Sequence, residues 1–248
     1  MAADTFHKSD ASTFSIEIVL SRTWKVLFKN PIVFLGLTVL LFALIEIVRY
    51  GMHFLIPEIA QRYSEFLYIF IAMLLRQWIG GAIAYGVYQT LKGKGVSLAD
   101  SLSHGMKRFA PLIFVGALEV LGISLGLKLF VIPAIFMVCI WIVAIPVCVV
   151  ERLGAIKSLF RSMELTKGCW IKIFALYFLI VRITVQAVER SVAFVMPVEM
   201  EATILSFIPR IASWIPEAFG LVMVAVIYFE LRNIKEGIAV DSLANVFD

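Results

Sequence analysis

Six long apolar runs separated by short polar connections dominate this chain, at about 32–55, 66–91, 110–128, 130–150, 170–195 and 204–230. Each is close to the ~20 residues that an α-helix needs to cross the ~30 Å hydrocarbon core of a bilayer. The pattern predicts an all-α integral membrane protein with six transmembrane helices. Residues 13–237 read as one membrane domain, flanked by a polar N-terminal tail (1–12) and a C-terminal tail (238–248).

Three shorter stretches, at about 13–29, 97–109 and 153–166, follow a different rule. In the first, Ile16, Leu20, Trp24 and Leu27 share one helical face, with Glu17, Ser21, Lys25 and Lys29 opposite. In the second, Ser97-Leu-Ala-Asp100 has the form of a capping box and precedes a stripe of Leu98, Leu102, Met106 and Phe109. In the third, Leu153, Ile156, Leu159, Phe160 and Met163 recur at spacings of three and four, while Lys157 and Arg161 share the other side. This is the amphipathic helical period. Such helices lie in a membrane interface, apolar face toward the acyl chains and cations toward the headgroups. The expected architecture is therefore three repeats of an interfacial amphipathic helix followed by a helical hairpin.

Basic residues give the orientation. Lys8, Arg22, Lys25 and Lys29 precede the first span, and Lys92, Lys94, Lys107 and Arg108 lie between the second and third. Arg152, Lys157, Arg161, Lys167 and Lys172 surround the join of the fourth and fifth, and Arg232 and Lys235 follow the last. They outnumber Arg49, Arg62, Lys128, Arg190 and Arg210 on the other side. Since Lys and Arg are retained inside, both termini are expected in the cytoplasm, as for a multi-pass protein of a bacterial cytoplasmic membrane.

Composition agrees: 61% hydrophobic and 16% charged residues, with a mean hydropathy of +0.96, exceed what one buried core accommodates. The polar opening M-A-A-D-T-F-H-K-S-D lacks a signal-peptide core and leaves targeting to the first span. Cys139, Cys148 and Cys169 form no C-x-x-C pair, which argues against a disulfide scaffold or zinc site. The net charge of +4 is scattered rather than gathered on a soluble domain, so the expected partners are anionic membrane lipids and not nucleic acid. A protein partner or a second copy of the chain is compatible with the same surface.

One polar stretch carries more than periodicity. Ala144–Trp170, A-I-P-V-C-V-V-E-R-L-G-A-I-K-S-L-F-R-S-M-E-L-T-K-G-C-W, resembles a signature of the membrane domain of some glycerophosphodiester phosphodiesterases and of related bacterial membrane proteins. The matching positions are Pro146, Glu151, Gly154, Arg161, Ser162, Leu165, Thr166, Gly168 and Trp170. A second block, A-V-I-Y-F-E-L-R-N-I-K-E-G at Ala225–Gly237, is similar to that family's closing motif. The resemblance implies a six-helix membrane fold. It does not imply hydrolysis, which in those enzymes belongs to a separate soluble barrel with histidine and acidic ligands. Here His7, His53 and His104 are far apart in sequence and no such barrel fits. No catalytic residue, metal or cofactor is expected.

Residue chemistry suggests two candidate sites. At the cytoplasmic face, Arg22, Lys25, Lys107, Arg108, Arg152 and Lys157 provide lipid- or partner-binding cations. Two arrangements are open there: a polar cluster between Glu151, Arg161 and Glu164 and the closing-motif residues Glu230, Arg232 and Glu236, or independent snorkelling of each side chain at the interface, with Tyr228 at the same face and Trp170 as interfacial anchor. Gly154 is expected to permit the turn out of the fourth span, and Thr166-Lys-Gly168 to end a helix. Within the spans lie Glu46, Arg76, Glu119, Arg182 and Glu217, with Arg49 beside Glu46. An ionised group at bilayer centre costs at least ~2.5–3.5 kcal/mol, so partners are expected: Arg76 with Glu46 or Glu119, and Arg182 with Glu119 or Glu217. Pro133, Pro146, Pro209 and Pro216 predict kinked or broken helices.

These features fit a non-catalytic lipid- or partner-binding scaffold first, and a small transporter with a charged intramembrane cavity second. A lipid-active enzyme would need an acidic or histidine cluster that the sequence does not display. The orientation has a direct test: Cys169 is expected to resist an impermeant thiol reagent added outside intact cells, and labelling there reverses the topology.

Overall fold

The computed structural model describes residues 14–55, 61–195 and 202–236. The two tails and the connections at 56–60 and 196–201, with the tail boundaries and Lys8 among them, lie outside the described residues. The described residues form twelve helical segments. Helix α1 is Ile16–Lys29, α2 Pro31–Leu55, α3 Gln61–Leu91, α4 Leu98–Lys107, α5 Phe109–Leu129, α6 Val131–Trp141, α7 Ala144–Val150 and α8 Ala155–Thr166. Helix α9 (Trp170–Phe174), a π-helical segment (Ala175–Arg182) and α10 (Ile183–Val195) form one continuous rod, and α11 is Ala202–Glu236. Six of these units are long and apolar enough to cross a membrane. The chain is an all-α, multi-pass membrane protein.

Helix α11 is the hub. More than half of its spanning stretch (56%) is buried by protein, against at most 39% for any other span. Val222, Met223, Val226, Ile227, Tyr228 and Leu231 are fully enclosed, packing with Phe34 and Leu37 of α2, Ile79, Ile83 and Val87 of α3 and Leu176 of the fifth span. A second, smaller core joins α5, α7 and α8 through Leu112, Val115, Ala144, Cys148 and Leu159. The outward faces are apolar: Ile32 is 84% exposed, and the α5–α6 tip exposes Leu129, Phe130, Val131 and Ile132.

The fourth span is broken, as its prolines suggest. Pro146 lacks the N–H that would bond the carbonyl of Ile142, and α6 gives way to α7 across Ile142–Val143. The carbonyl of Ile140, at the end of α6, accepts the hydroxyls of Ser162 (2.8 Å) and Thr166 (3.3 Å). Helix α8 therefore packs beside the broken span and reaches back to Ile140, instead of lying only across the helix ends. The other prolines act differently. Helix α11 continues as an α-helix through Pro209 and Pro216.

The three short helices divide the expected stripes: Leu27 and Leu159 are buried and Ile16, Leu20, Leu98, Leu102 and Leu153 pack against the core, while Trp24, Met106, Ile156, Phe160 and Met163 are exposed. Small or hydroxyl-bearing residues join leucines on their buried faces: Val19, Thr23, Val26 and Leu27 in α1, Ser101 and Gly105 in α4, and Ser158, Leu159, Ser162, Leu165 and Thr166 in α8. Gly105 is required for this. A Cβ there would lie 3.0 Å from the Trp78 carbonyl and 3.1 Å from the Ala82 nitrogen, so α4 sits directly on the α3 backbone. The aromatic side chains Trp24 and Phe28 (each 58% exposed) and Phe160 (66%) stay outside.

The caps follow the sequence closely. Ser97 Oγ accepts the Asp100 amide at 3.1 Å and opens α4. Helix α8 stops at Thr166, and Gly168 takes φ +86° just beyond it. The turn after α7 is different. Gly154 has an extended backbone (φ −74°), and Arg152 is the residue in the left-handed region, at φ 54°. The turn thus comes two residues before the glycine, at a side chain for which it costs about 1–2 kcal/mol.

Removal of the Ser162 hydroxyl leaves Thr166 to satisfy the Ile140 carbonyl, whereas losing both hydroxyls strands it. Ser162→Ala is expected to cost about 1 kcal/mol and Ser162→Ala/Thr166→Val more than the sum of the single changes, toward the ~1–3 kcal/mol of an unsatisfied buried group. Thermal unfolding in detergent measures both.

Candidate functional site

On the side of the short helices, the two motif blocks meet. Tyr228 and Arg232 lie one turn apart on α11, so the Arg232 guanidinium donates to the Tyr228 hydroxyl at 3.2 Å. That hydroxyl donates to Glu151 at 3.0 Å. Glu151, just past α7, accepts from Arg161 of α8 at 3.3 Å. Arg161 also bonds Glu236, and Glu236 accepts from Arg232 at 2.7 Å, closing a ring of five side chains. Glu164 adds an outer contact to Arg161 at 3.0 Å. Burial works against the Arg161 charge, but hydrogen bonds and attraction from Glu164 and Glu151 outweigh it and hold the guanidinium above its ordinary pKa.

Glu230 is not part of this ring. It points from the other face of α11 to Arg22 of α1. The expected cluster is therefore two units, one tying α7, α8 and α11 together and one tying α1 to α11. Lys235 reaches back to the carbonyl of Lys167 beyond α8 (3.1 Å), and Lys172 donates to the Phe14 carbonyl (2.7 Å). Trp170 is 44% exposed and meets Phe136 edge-on at 5.9 Å.

Lys25 and Lys157 stand exposed and make no ion pair among the described residues. Lys107 and Arg152 are exposed beside Arg108, whose guanidinium donates to the backbone carbonyls of Cys148 (3.2 Å) and Leu153 (3.2 Å). These neutral acceptors fasten α5 to the turn after α7 without cancelling the Arg108 charge.

Inside the spans, Glu217 of α11 is the shared acceptor. Arg182 approaches it at 3.1 Å and Arg76 at 3.7 Å. Of the partners considered for Arg76, neither Glu46 nor Glu119 is the one found; Arg76 and Arg182 share one carboxylate because α3 and the fifth span flank α11. Glu46 pairs locally with Arg49 at 2.7 Å. Glu119 accepts from the Gln77 amide at 3.2 Å.

Arg76, Gln77, Glu119, Trp141 and Tyr177 line a cavity of about 170 Å³ between α3, α5, the broken fourth span and α11. Gln77 Oε1 and Trp141 Nε1 are buried there with no hydrogen-bond partner among the described residues. Sequence reading did not single out Gln77, Trp141 or Tyr177. An uncharged amide next to Arg76 in a span is the signal that marks Gln77, while the tyrosine and tryptophan have only ordinary span chemistry. Among the described residues, no three His, Cys, Asp or Glu side chains gather in metal-binding geometry.

Compared with protein-family models, curated proteins and solved structures, the chain matches none.

The pairing pattern predicts which charge reversals compensate. Arg22→Glu and Glu230→Arg are each expected to destabilise the protein, and together to recover about 0.5–3 kcal/mol through coupling. Arg161→Glu with Glu230→Arg is expected to show no recovery. Thermal unfolding of the two double-mutant cycles separates the pairings.

Proposed function

We propose that this protein is a non-catalytic membrane scaffold that engages the anionic lipids of the cytoplasmic leaflet. The observation that carries this reading is a repeated surface on α1, α4 and α8, where an exposed apolar side chain is followed directly by a cation. The pairs are Trp24-Lys25 and Phe28-Lys29, Met106-Lys107, and Ile156-Lys157 and Phe160-Arg161. Lys25, Lys29, Lys107 and Lys157 make no ion pair among the described residues, so their charge is available to headgroups. Apolar groups beside basic ones match the acyl–headgroup boundary, and each Lys or Arg near an anionic leaflet contributes ~1 kcal/mol.

An even number of span crossings separates the three helices, which puts them on one side. The abundance of Lys and Arg there supports a cytoplasmic assignment in a bacterial inner membrane. The resemblance to the membrane domain of glycerophosphodiester phosphodiesterases belongs to the same proposal, because Glu151, Arg161, Tyr228 and Arg232 of its two blocks form one ring. On this reading the blocks hold the leaflet-facing helices in place and perform no chemistry.

The intramembrane cavity favours a second, narrower reading. At about 170 Å³ it falls below the ~300–1,000 Å³ of organic-ligand pockets and holds a few waters at ~30 Å³ each. Arg76, Gln77 and Glu119 in an otherwise mostly apolar lining suit water or a proton rather than a lipid.

Site-directed spin labels test leaflet engagement in the full chain, with native cysteines replaced by alanine, in phosphatidylethanolamine/phosphatidylglycerol vesicles. Labels at positions 28, 106 and 160 are expected to collide mainly with oxygen, and labels at 29, 107 and 157 with a water-soluble nickel reagent. Equal water access at all six positions contradicts the reading.

A further inference from the structure

A pocket of about 550 Å³ opens between α3, α4 and the end of α7, away from the ring. Val149, Val150, Tyr85 and Tyr88 give it apolar walls, and Lys107, Arg108 and Arg152 add three cations, with no carboxylate in the lining among the described residues. We propose that this pocket binds a phosphate ester anion, most simply the headgroup phosphate of an anionic phospholipid. The inference rests on the leaflet reading above and gives it a discrete site.

Geometry separates this pocket from a merely basic surface. Glu151 and Arg152 are adjacent in sequence but serve opposite sites: Glu151 is held in the ring by Tyr228 and Arg161, while Arg152 lines the pocket. The left-handed backbone at Arg152 (φ 54°) accompanies this division, and the nearest acid in sequence is thereby taken out of the pocket. Arg108 spends its bonds on the carbonyls of Cys148 and Leu153, which fixes its position without neutralising it. On the opposite wall, Tyr85 stacks on His104 at 3.9 Å between ring centroids, nearly parallel, and its hydroxyl accepts from Gln89 at 2.7 Å. Asp100 belongs to the same helix as His104, but its carboxylate is engaged by Ser97 at the cap. Lys92 lies over the Tyr88 ring at 4.4 Å, adding positive charge near the rim.

Guanidinium and ammonium groups converging without a counter-anion create a preference for a compact anion with several acceptor oxygens. The volume lies within the range of small-ligand pockets, unlike the intramembrane cavity. Basic pockets between spanning helices at this face suit phospholipid headgroups, and Val149 and Val150 offer apolar contact to the lipid carbons beyond the phosphate.

The test uses the purified full-length chain in a neutral detergent. Retention of phosphatidylglycerol and of phosphatidylcholine is read by native mass spectrometry, with inorganic phosphate and glycerol 3-phosphate as soluble competitors. Arg152→Gly and Lys107→Gln are each expected to lower phosphatidylglycerol affinity about fivefold, equivalent to the ~1 kcal/mol of one interfacial cation. Lys128→Gln, exposed in the last turn of α5 and outside both the pocket and the short helices, is expected to leave this tight binding unchanged. Arg152→Gly is also expected to keep or raise the Tm, because glycine accepts the left-handed backbone without strain.

Displacement by the soluble phosphates at millimolar concentration assigns the site to a free phosphate ester, and resistance to them assigns it to lipid; both support the pocket. Wild-type affinity in the Arg152→Gly/Lys107→Gln double variant overturns it. So does an equal loss in Lys128→Gln, or a loss that appears only together with a lowered Tm. These outcomes leave the spin-label result unaffected, so the pocket can fail while leaflet engagement stands.

Discussion

A backbone carbonyl released inside hydrocarbon has no water to bond, so a spanning helix interrupted by proline must find its acceptor's partner within the protein. Pro146 deprives Ile142 of its amide partner and marks the break in the fourth span, and a second carbonyl at that break, that of Ile140, is met by Ser162 and Thr166 of α8. Much else is arranged around this contact. To deliver two hydroxyls, α8 turns Ser162 and Thr166 inward with Leu159 and Leu165 beside them, which leaves Ile156, Phe160 and Met163 outward. With α8 seated there, Arg161 falls between Glu151 and Glu236. The apolar exterior and the charged ring are thus two results of satisfying one broken span.

The ring also distributes charge. Arg161 and Arg232 are matched by Glu151, Glu164 and Glu236, and Arg22 by Glu230. Glu151, Glu230 and Glu236 are thereby consumed in holding helices together, and Lys25, Lys107, Arg152 and Lys157 are left exposed. Partly buried ion pairs of this kind contribute modestly to stability. Their greater effect is to fix which charges are left over.

The six spans and three short helices were legible because hydrophobic runs and helical periods depend on local chemistry alone. The Ser97 cap and the Gly168 helix end were legible for the same reason, each determined by a few adjacent residues. Pairings between distant elements were not. Glu230 and Glu236 are alike in sequence, and only the rotation of α11 sends one to Arg22 and the other to Arg161. The apolar stripes of α1, α4 and α8 divide between exposed and buried faces, and the buried faces also use small residues whose value appears only when another backbone is close, as at Gly105. Arg152 defeated local reasoning, since a nearby glycine was the natural site for an unusual turn.

The π-helical segment Ala175–Arg182 lies in a stretch without proline or glycine. Each of its turns holds more residues than an α-helical turn, so the fifth span changes angular phase partway along its length. Side chains before and after it do not share the faces that a single helical wheel from Trp170 would assign. Arg182 ends this segment and bonds Glu217, while Tyr177 within it borders the cavity. The rod therefore consists of two stretches joined out of register, one bordering the cavity through Tyr177 and the other set by the packing of α10 on α11.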